Sequence, residues 1–228
     1  MLNINFDPSG NDPVVISFKT MRRMAGLLGM ALPVAACLWS VVCSDSHTLL
    51  ESISAYYHTN MRDIVVGILC AVSFFLFAYH GYDTQDFITF KIAGISALGI
   101  ALFPALIENT NSSISLALNA SPTTDTLHII SASIFFITLA YISLCLFTKS
   151  KPNTPKQDRS GQKIIRNRIY ILCGSVIVLC LVLLFVVHIP SIASSVKELN
   201  PVFWLEAIAL LAFGISWLVK GETLFKDA

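Results

Sequence analysis

The stretch IYILCGSVIVLCLVLLFVV, residues 169–187, carries no charged side chain and no proline. It is close to the roughly 20 apolar residues that cross a bilayer as a helix. In lipid every backbone N–H and C=O must find its partner within the segment or on a neighbour, so such a run reads as a spanning α-helix. The rest of the chain has the same character. Of 228 residues 55% are hydrophobic and 13% charged, with a mean hydropathy of +0.71, which excludes an ordinary soluble domain. Apolar windows occur at about 24–43, 62–80, 88–107, 122–147, 167–188 and 201–219. The sequence therefore predicts an all-α, polytopic membrane bundle of six transmembrane helices.

Lys and Arg remain on the cytoplasmic side of a membrane protein and so assign its orientation. With both termini inside, all fifteen basic residues except Arg62 and Lys197 become cytoplasmic. The connection 148–166 is especially basic, and Arg22 and Arg23 precede the first span. The expectation is a multi-pass protein of the cell inner membrane: a cytoplasmic leader, 1–20, followed by one transmembrane domain, 21–228. The basic cluster follows from this topology and lacks interleaved aromatics, so no nucleic-acid partner is implied. Cys37, Cys43, Cys70, Cys145, Cys173 and Cys180 contain no Cys-x-x-Cys and read as small apolar residues. Val34-Ala35-Ala36-Cys37 looks like a lipoprotein cleavage box, but the apolar run continues past Cys37, as a span requires. There is no internal repeat of the kind that builds many transporters.

Helix boundaries are legible at several places. Ser121-Pro122 and Asn200-Pro201 each place a capping residue before a proline at the first helical position. Asn60 stands three residues before Asp63 as in a capping box. Gly81 reads as a helix stop. Pro104, inside the third window, predicts a kink there. Two sequons, at Asn111 and Asn119, fall in the connection that follows.

This topology collects titratable groups on the outer side, where His47, His58, His128 and His188 accompany Asp45, Glu51, Asp63, Glu108, Asp125, Glu198 and Glu206. The stretch SISAYYHTNMRD, residues 52–63, is the densest polar segment there. Glu206 falls about 8 Å below Pro201 at 1.5 Å per residue. A carboxylate at that depth requires a partner, and Arg62 and His128 are the expected ones. His128 follows Asp125 by three residues, on one face of its helix. The candidate catalytic residues are thus His58, Asp63, His128 and Glu206, with Ser54, Tyr57 and Arg62 as candidate substrate-binding groups. His58, His128 and Asp125 are candidate ligands of a divalent metal such as zinc, whose bound water is a nucleophile at neutral pH.

The runs SISAYYHTNMRDIVVG, GYD, ALGIALFP and FWLEAIALLAFGISWLVKGE resemble a group of small multi-span bacterial membrane proteins, a likeness that implies a membrane bundle and no particular activity. Ser54-Ala55-Tyr56-Tyr57-His58 also resembles the Ser-x-x-x-His element of the ceramidase and progestin-receptor-like superfamily of membrane hydrolases. That likeness implies zinc-dependent hydrolysis of lipid amides, with Asp63 standing for the superfamily's downstream Asp. The chain departs from it in having six spans where seven are usual, and in offering Glu206 where the last helix should carry a histidine pair. The expected function is a lipid-directed hydrolase with an outward-facing polar site. The alternatives are a small proton- or cation-coupled transporter or channel, and a non-catalytic assembly subunit. Membrane lipids and a second copy of the chain are the expected partners.

Overall fold

The computed structural model describes residues 17–44, 48–79, 81, 83–106, 121–149 and 161–223. Asp45, His47, His80, Glu108 and the asparagines of both sequons lie outside the described residues, as does most of the leader. The regular structure described is helical throughout. Its long helices are α1 (Phe18–Val42), α2 (Arg62–Ala78), α3 (Thr84–Leu102), α4 (Pro122–Tyr141), α5 (Gly161–Val187) and α7 (Pro201–Lys220). A π-helical turn, Ile142–Leu146, extends α4, and a short α6, Pro190–Val196, follows α5. Each long helix packs on the next, and α7 closes the ring by lying between α5 and α1.

Five of these helices, α1, α3, α5, α7 and α4 with its extension, are long and apolar enough to cross a membrane. The remaining one, α2, has 17 residues, at the lower limit of about 17–25 for a span. Large apolar side chains cover the outside of the ring: Phe185 is 78% exposed, Val42 74% and Leu172 64%. Water would penalise this surface and lipid would not. Inside, Trp217 is ringed by Tyr79, Phe90, Phe147 and Phe213 at centroid distances of 5.4 to 5.9 Å. Helices α1 and α7 approach closely, and a Cβ on Gly26 would fall 2.9 Å from the Gly214 carbonyl oxygen. Only glycines allow backbones to approach this closely.

Several boundaries differ from those read in the sequence. The Ser121 cap is present, with its Oγ accepting from Thr124 N–H at 3.2 Å and Thr124 Oγ1 accepting from Ser121 N–H at 2.8 Å. Asn60, by contrast, does not cap α2: Met61 occupies the cap position and no side chain bonds there. Asn200 does stand at the N-cap of α7 with Pro201 at the first helical position, but at φ +46° its side chain makes no capping bond and its amide donates to the Leu49 carbonyl at 3.2 Å. Pro104 ends α3 instead of kinking it. The residue before a proline is pushed to extended conformations, and Phe103, at φ −103° and ψ 110°, leaves the helix there. Helix α5 begins at Gly161, within the stretch read as loop.

At the end of the bundle where α3 begins, Lys149 Nζ donates to Asp86 Oδ1 at 2.6 Å and to Asp83 Oδ2 at 2.9 Å, tying the start of α3 to the end of α4. Asp86 is only 2% exposed. The Asp83 carboxyl is held below its ordinary range by the Asp86 N–H and then by Lys149. Desolvation opposes the charge on Lys149, yet its bonds to Asp86 and Asp83 prevail and hold the ammonium above its ordinary range.

Candidate functional site

The polar stretch before α2 is not an α-helix. Residues Ser54–His58 form a 3₁₀ turn, and Thr59 is extended at φ −115°, ψ 177°, separating that turn from α2. Ser54, His58 and Arg62, spaced by four, therefore do not line up on one α-helical face. In a 3₁₀ turn residues three apart eclipse, so Ser54 and Tyr57 are the pair that share a side.

Tyr56 fixes the turn in the bundle. It is fully buried, stacks edge-on against Trp39 of α1 at 5.6 Å and leans on Phe203 of α7 at 6.1 Å. Its hydroxyl bonds Ser40 Oγ and accepts from Leu50 N–H at 3.3 Å. Further bonds reach the segment from α7: Phe203 N–H donates to the Glu51 carbonyl at 3.0 Å, and Glu206 Oε2 accepts from Ile53 N–H at 2.7 Å. Ser52 Oγ takes the Ala55 N–H at 3.0 Å. A short loop thus has its backbone groups satisfied and its position over the bundle set from two sides.

A second segment, Phe103–Leu106, is held in the same way. Its carbonyls lost helical partners when Pro104 ended α3. The buried His128 donates from Nδ1 to the Phe103 carbonyl at 2.8 Å, and the buried His58 from Nε2 to the Ala105 carbonyl at 2.7 Å. Asp125 Oδ1 accepts from Leu106 N–H at 2.8 Å. Because a carbonyl only accepts, Nδ1 of His128 bears the proton in the neutral ring, and Nε2 is left as an acceptor. Ser54 Oγ lies 2.9 Å from that nitrogen. A hydroxyl is thus aimed at the basic nitrogen of an imidazole whose tautomer is set by a third group, the arrangement that activates a serine nucleophile.

Beneath this pair lies a cavity of about 40 Å³. Ser54, Tyr57, His128 and Glu206 line its polar end, and Leu32, Val65, Leu69, Phe135, Phe136 and Leu210 are among its apolar walls. Of the residues singled out in the sequence, these four polar ones meet at one place, while His58, Arg62, Asp63 and Asp125 are not among the lining residues. Arg62 does not pair with Glu206. Its guanidinium bonds Tyr57 Oη at 3.2 Å and sits 4.9 Å from the centre of that ring. Asp63 is exposed in the first turn of α2.

The proposed metal set does not fit. Both nitrogens of His128 are engaged, Nε2 of His58 is given to Ala105, and one oxygen of Asp125 to Leu106. Among the described residues no three His, Cys, Asp or Glu side chains are grouped to hold an ion. What sequence reading missed was Tyr56 as the anchor, and the Phe103 and Ala105 carbonyls as the partners of the histidines. Pro104 was the available signal, because a proline that ends a helix leaves carbonyls that need donors. The cysteines are all free, with Cys173 and Cys180 buried and Cys43 and Cys145 exposed.

Fold and site together describe a helical bundle with an apolar exterior and, at one end of a small pocket, a half-buried serine paired with a buried histidine. No family model, curated protein or solved structure matches the chain.

Proposed function

We propose that the protein spans the inner membrane six times, both termini cytoplasmic, and is a hydrolase of acyl bonds in lipids or lipid-associated molecules, with Ser54 as nucleophile and His128 as general base. The observation that carries this reading is the 2.9 Å contact of Ser54 Oγ with His128 Nε2 while Nδ1 is committed to Phe103. The apolar exterior supports the membrane setting, with α2 as the sixth span, and the distribution of Lys and Arg supports the orientation.

In this reading Ser54 Oγ adds to the acyl carbonyl as its proton passes to His128 Nε2. The carbon–oxygen or carbon–nitrogen bond to the leaving group then breaks, and His128 returns the proton to that group. Water, deprotonated in turn by His128, releases the acid from Ser54. Glu206 positions the nucleophile by holding Ile53, the residue before it. Tyr57 and Arg62 stand where a leaving group would exit. His58 and Asp125 keep Phe103–Leu106, and through it His128, in place.

A second reading has a specific observation behind it: His58, His128 and Asp125 all bond the backbone of residues 103–106, which a purely bracing role would also require. Diisopropyl fluorophosphate separates the two, because Ser54 Oγ would displace fluoride from phosphorus to give a stable adduct. Adduct formation at Ser54, slowed at least about tenfold by His128→Gln, is expected from the hydrolase. No adduct on folded protein, together with no Ser54-dependent ester hydrolysis, would leave the brace.

A further inference from the structure

The size of the cavity bears on what the site accepts. On helix α4 the wall descends from His128 through Ala132 to Phe135 and Phe136. At 1.5 Å per residue this is about 11 Å of helix. Val65 and Leu69 of α2 and Leu210 of α7, one turn below Glu206, close the same floor. The space above that floor is about 40 Å³. One water requires about 10–15 Å³ by this measure, and a cavity that takes benzene is about 150 Å³. The space therefore suits about three heavy atoms, which is the acetyl group itself. An eight-carbon chain would have to displace Phe135 and Phe136, which are 2% and 7% exposed and part of the core, and packed cores resist such insertion.

We propose that the site is selective for short acyl groups, acetyl or propionyl, carried as esters, with the acyl methyl seated against Ala132, Phe135 and Leu210 and the alcohol portion directed toward Tyr57 and Arg62. This rests on the hydrolase reading and narrows it to a deacylase of short-chain esters. The reaction consumes ester and water and yields the alcohol and the short-chain acid. Ser54 holds the acyl group in between, and His128 carries one proton out and one back.

The test uses the full chain in detergent with 4-nitrophenyl acetate, butyrate and octanoate, and Ser54→Ala as the background to be subtracted. The Ser54-dependent kcat/KM for acetate is expected to exceed that for octanoate at least about tenfold, the scale on which a shaped apolar pocket discriminates. Phe136→Leu and Leu210→Ala, each lowering the floor, are expected to narrow that ratio. Octanoate turned over as fast as acetate, or a ratio that neither floor variant moves in folded protein, would overturn the inference. So would Ser54 that reacts with diisopropyl fluorophosphate yet turns over none of the three esters, and in that case the hydrolase reading would survive. Absence of both the adduct and Ser54-dependent turnover would remove the two together.

Discussion

Glu206 offers the most direct test of how the site is held. Its Oε2 accepts the Ile53 N–H at 2.7 Å, and Ile53 is 4% exposed. Glu206→Ala leaves that N–H in the bundle without its acceptor. An unsatisfied buried donor costs roughly 1–3 kcal/mol. Taking about 2 kcal/mol, and about 2–4 °C per kcal/mol for a chain of this size, the melting temperature should fall by about 4–8 °C. Glu206→Gln retains a carbonyl oxygen on the same stem, so it can still accept from Ile53. It should lose no more than about 1 kcal/mol. Thermal unfolding in detergent, followed by reaction of the buried Cys173 and Cys180 with a thiol dye, measures both variants under one condition. If glutamine is as damaging as alanine, the carboxylate has a role other than accepting this bond. If alanine costs nothing, the turn that carries Ser54 is not held from α7.

At the α1–α7 crossing, Gly214→Val should destabilise by at least about 1–3 kcal/mol through overpacking. Its Cβ would lie 2.7 Å from the Gly26 carbonyl oxygen, a backbone atom that cannot turn aside, and the loss should appear as lower yield of folded protein and a lower melting temperature. The Lys149 cluster predicts a pH dependence. The lowered Asp83 contributes stability above its ordinary value of 3.8 and loses it as pH falls through its folded value. The raised Lys149 contributes stability below 10.5 and loses it as pH rises through its own folded value. Lys149→Met should remove the alkaline arm of a plot of melting temperature against pH and reduce the acid arm, part of which remains because the Asp86 N–H still holds Asp83 low. Purified protein is expected to contain far less than one zinc per chain by elemental analysis, and to bind diisopropyl fluorophosphate equally well after chelation. Stoichiometric zinc abolished by His58→Ala would contradict the bonding assigned to the histidines.

Much of the bundle is written in local composition. The run 169–187, the prolines at 122 and 201 and the Ser121 cap depend only on a segment and its immediate neighbours, and the helices begin or lie where those features put them. Asn60 misses the cap of α2 by one residue, Pro104 ends α3 where a kink was expected, and the Asn200 side chain is drawn from its capping bond by a tertiary contact. Asn200 gives its amide to the Leu49 carbonyl, and the Phe103 carbonyl, freed from α3 by Pro104, is taken by His128.

By itself the sequence determined that this chain is helical and apolar on its outside, because apolar length and the need to satisfy every backbone group within a segment are properties of each stretch alone. It also determined that Ser54, Tyr57, His128 and Glu206 were worth following, since polar groups at such positions are costly without partners. Which partners they have was decided only by the tertiary structure. Arg62 chose Tyr57, Glu206 chose a backbone N–H, and the two histidines chose carbonyls set free by a proline 24 residues or more away along the chain. Hydrogen bonds act over about 3 Å of space irrespective of sequence separation. The Ser54–His128 contact, between residues 74 apart, therefore came into being only when five helices had closed around one small cavity.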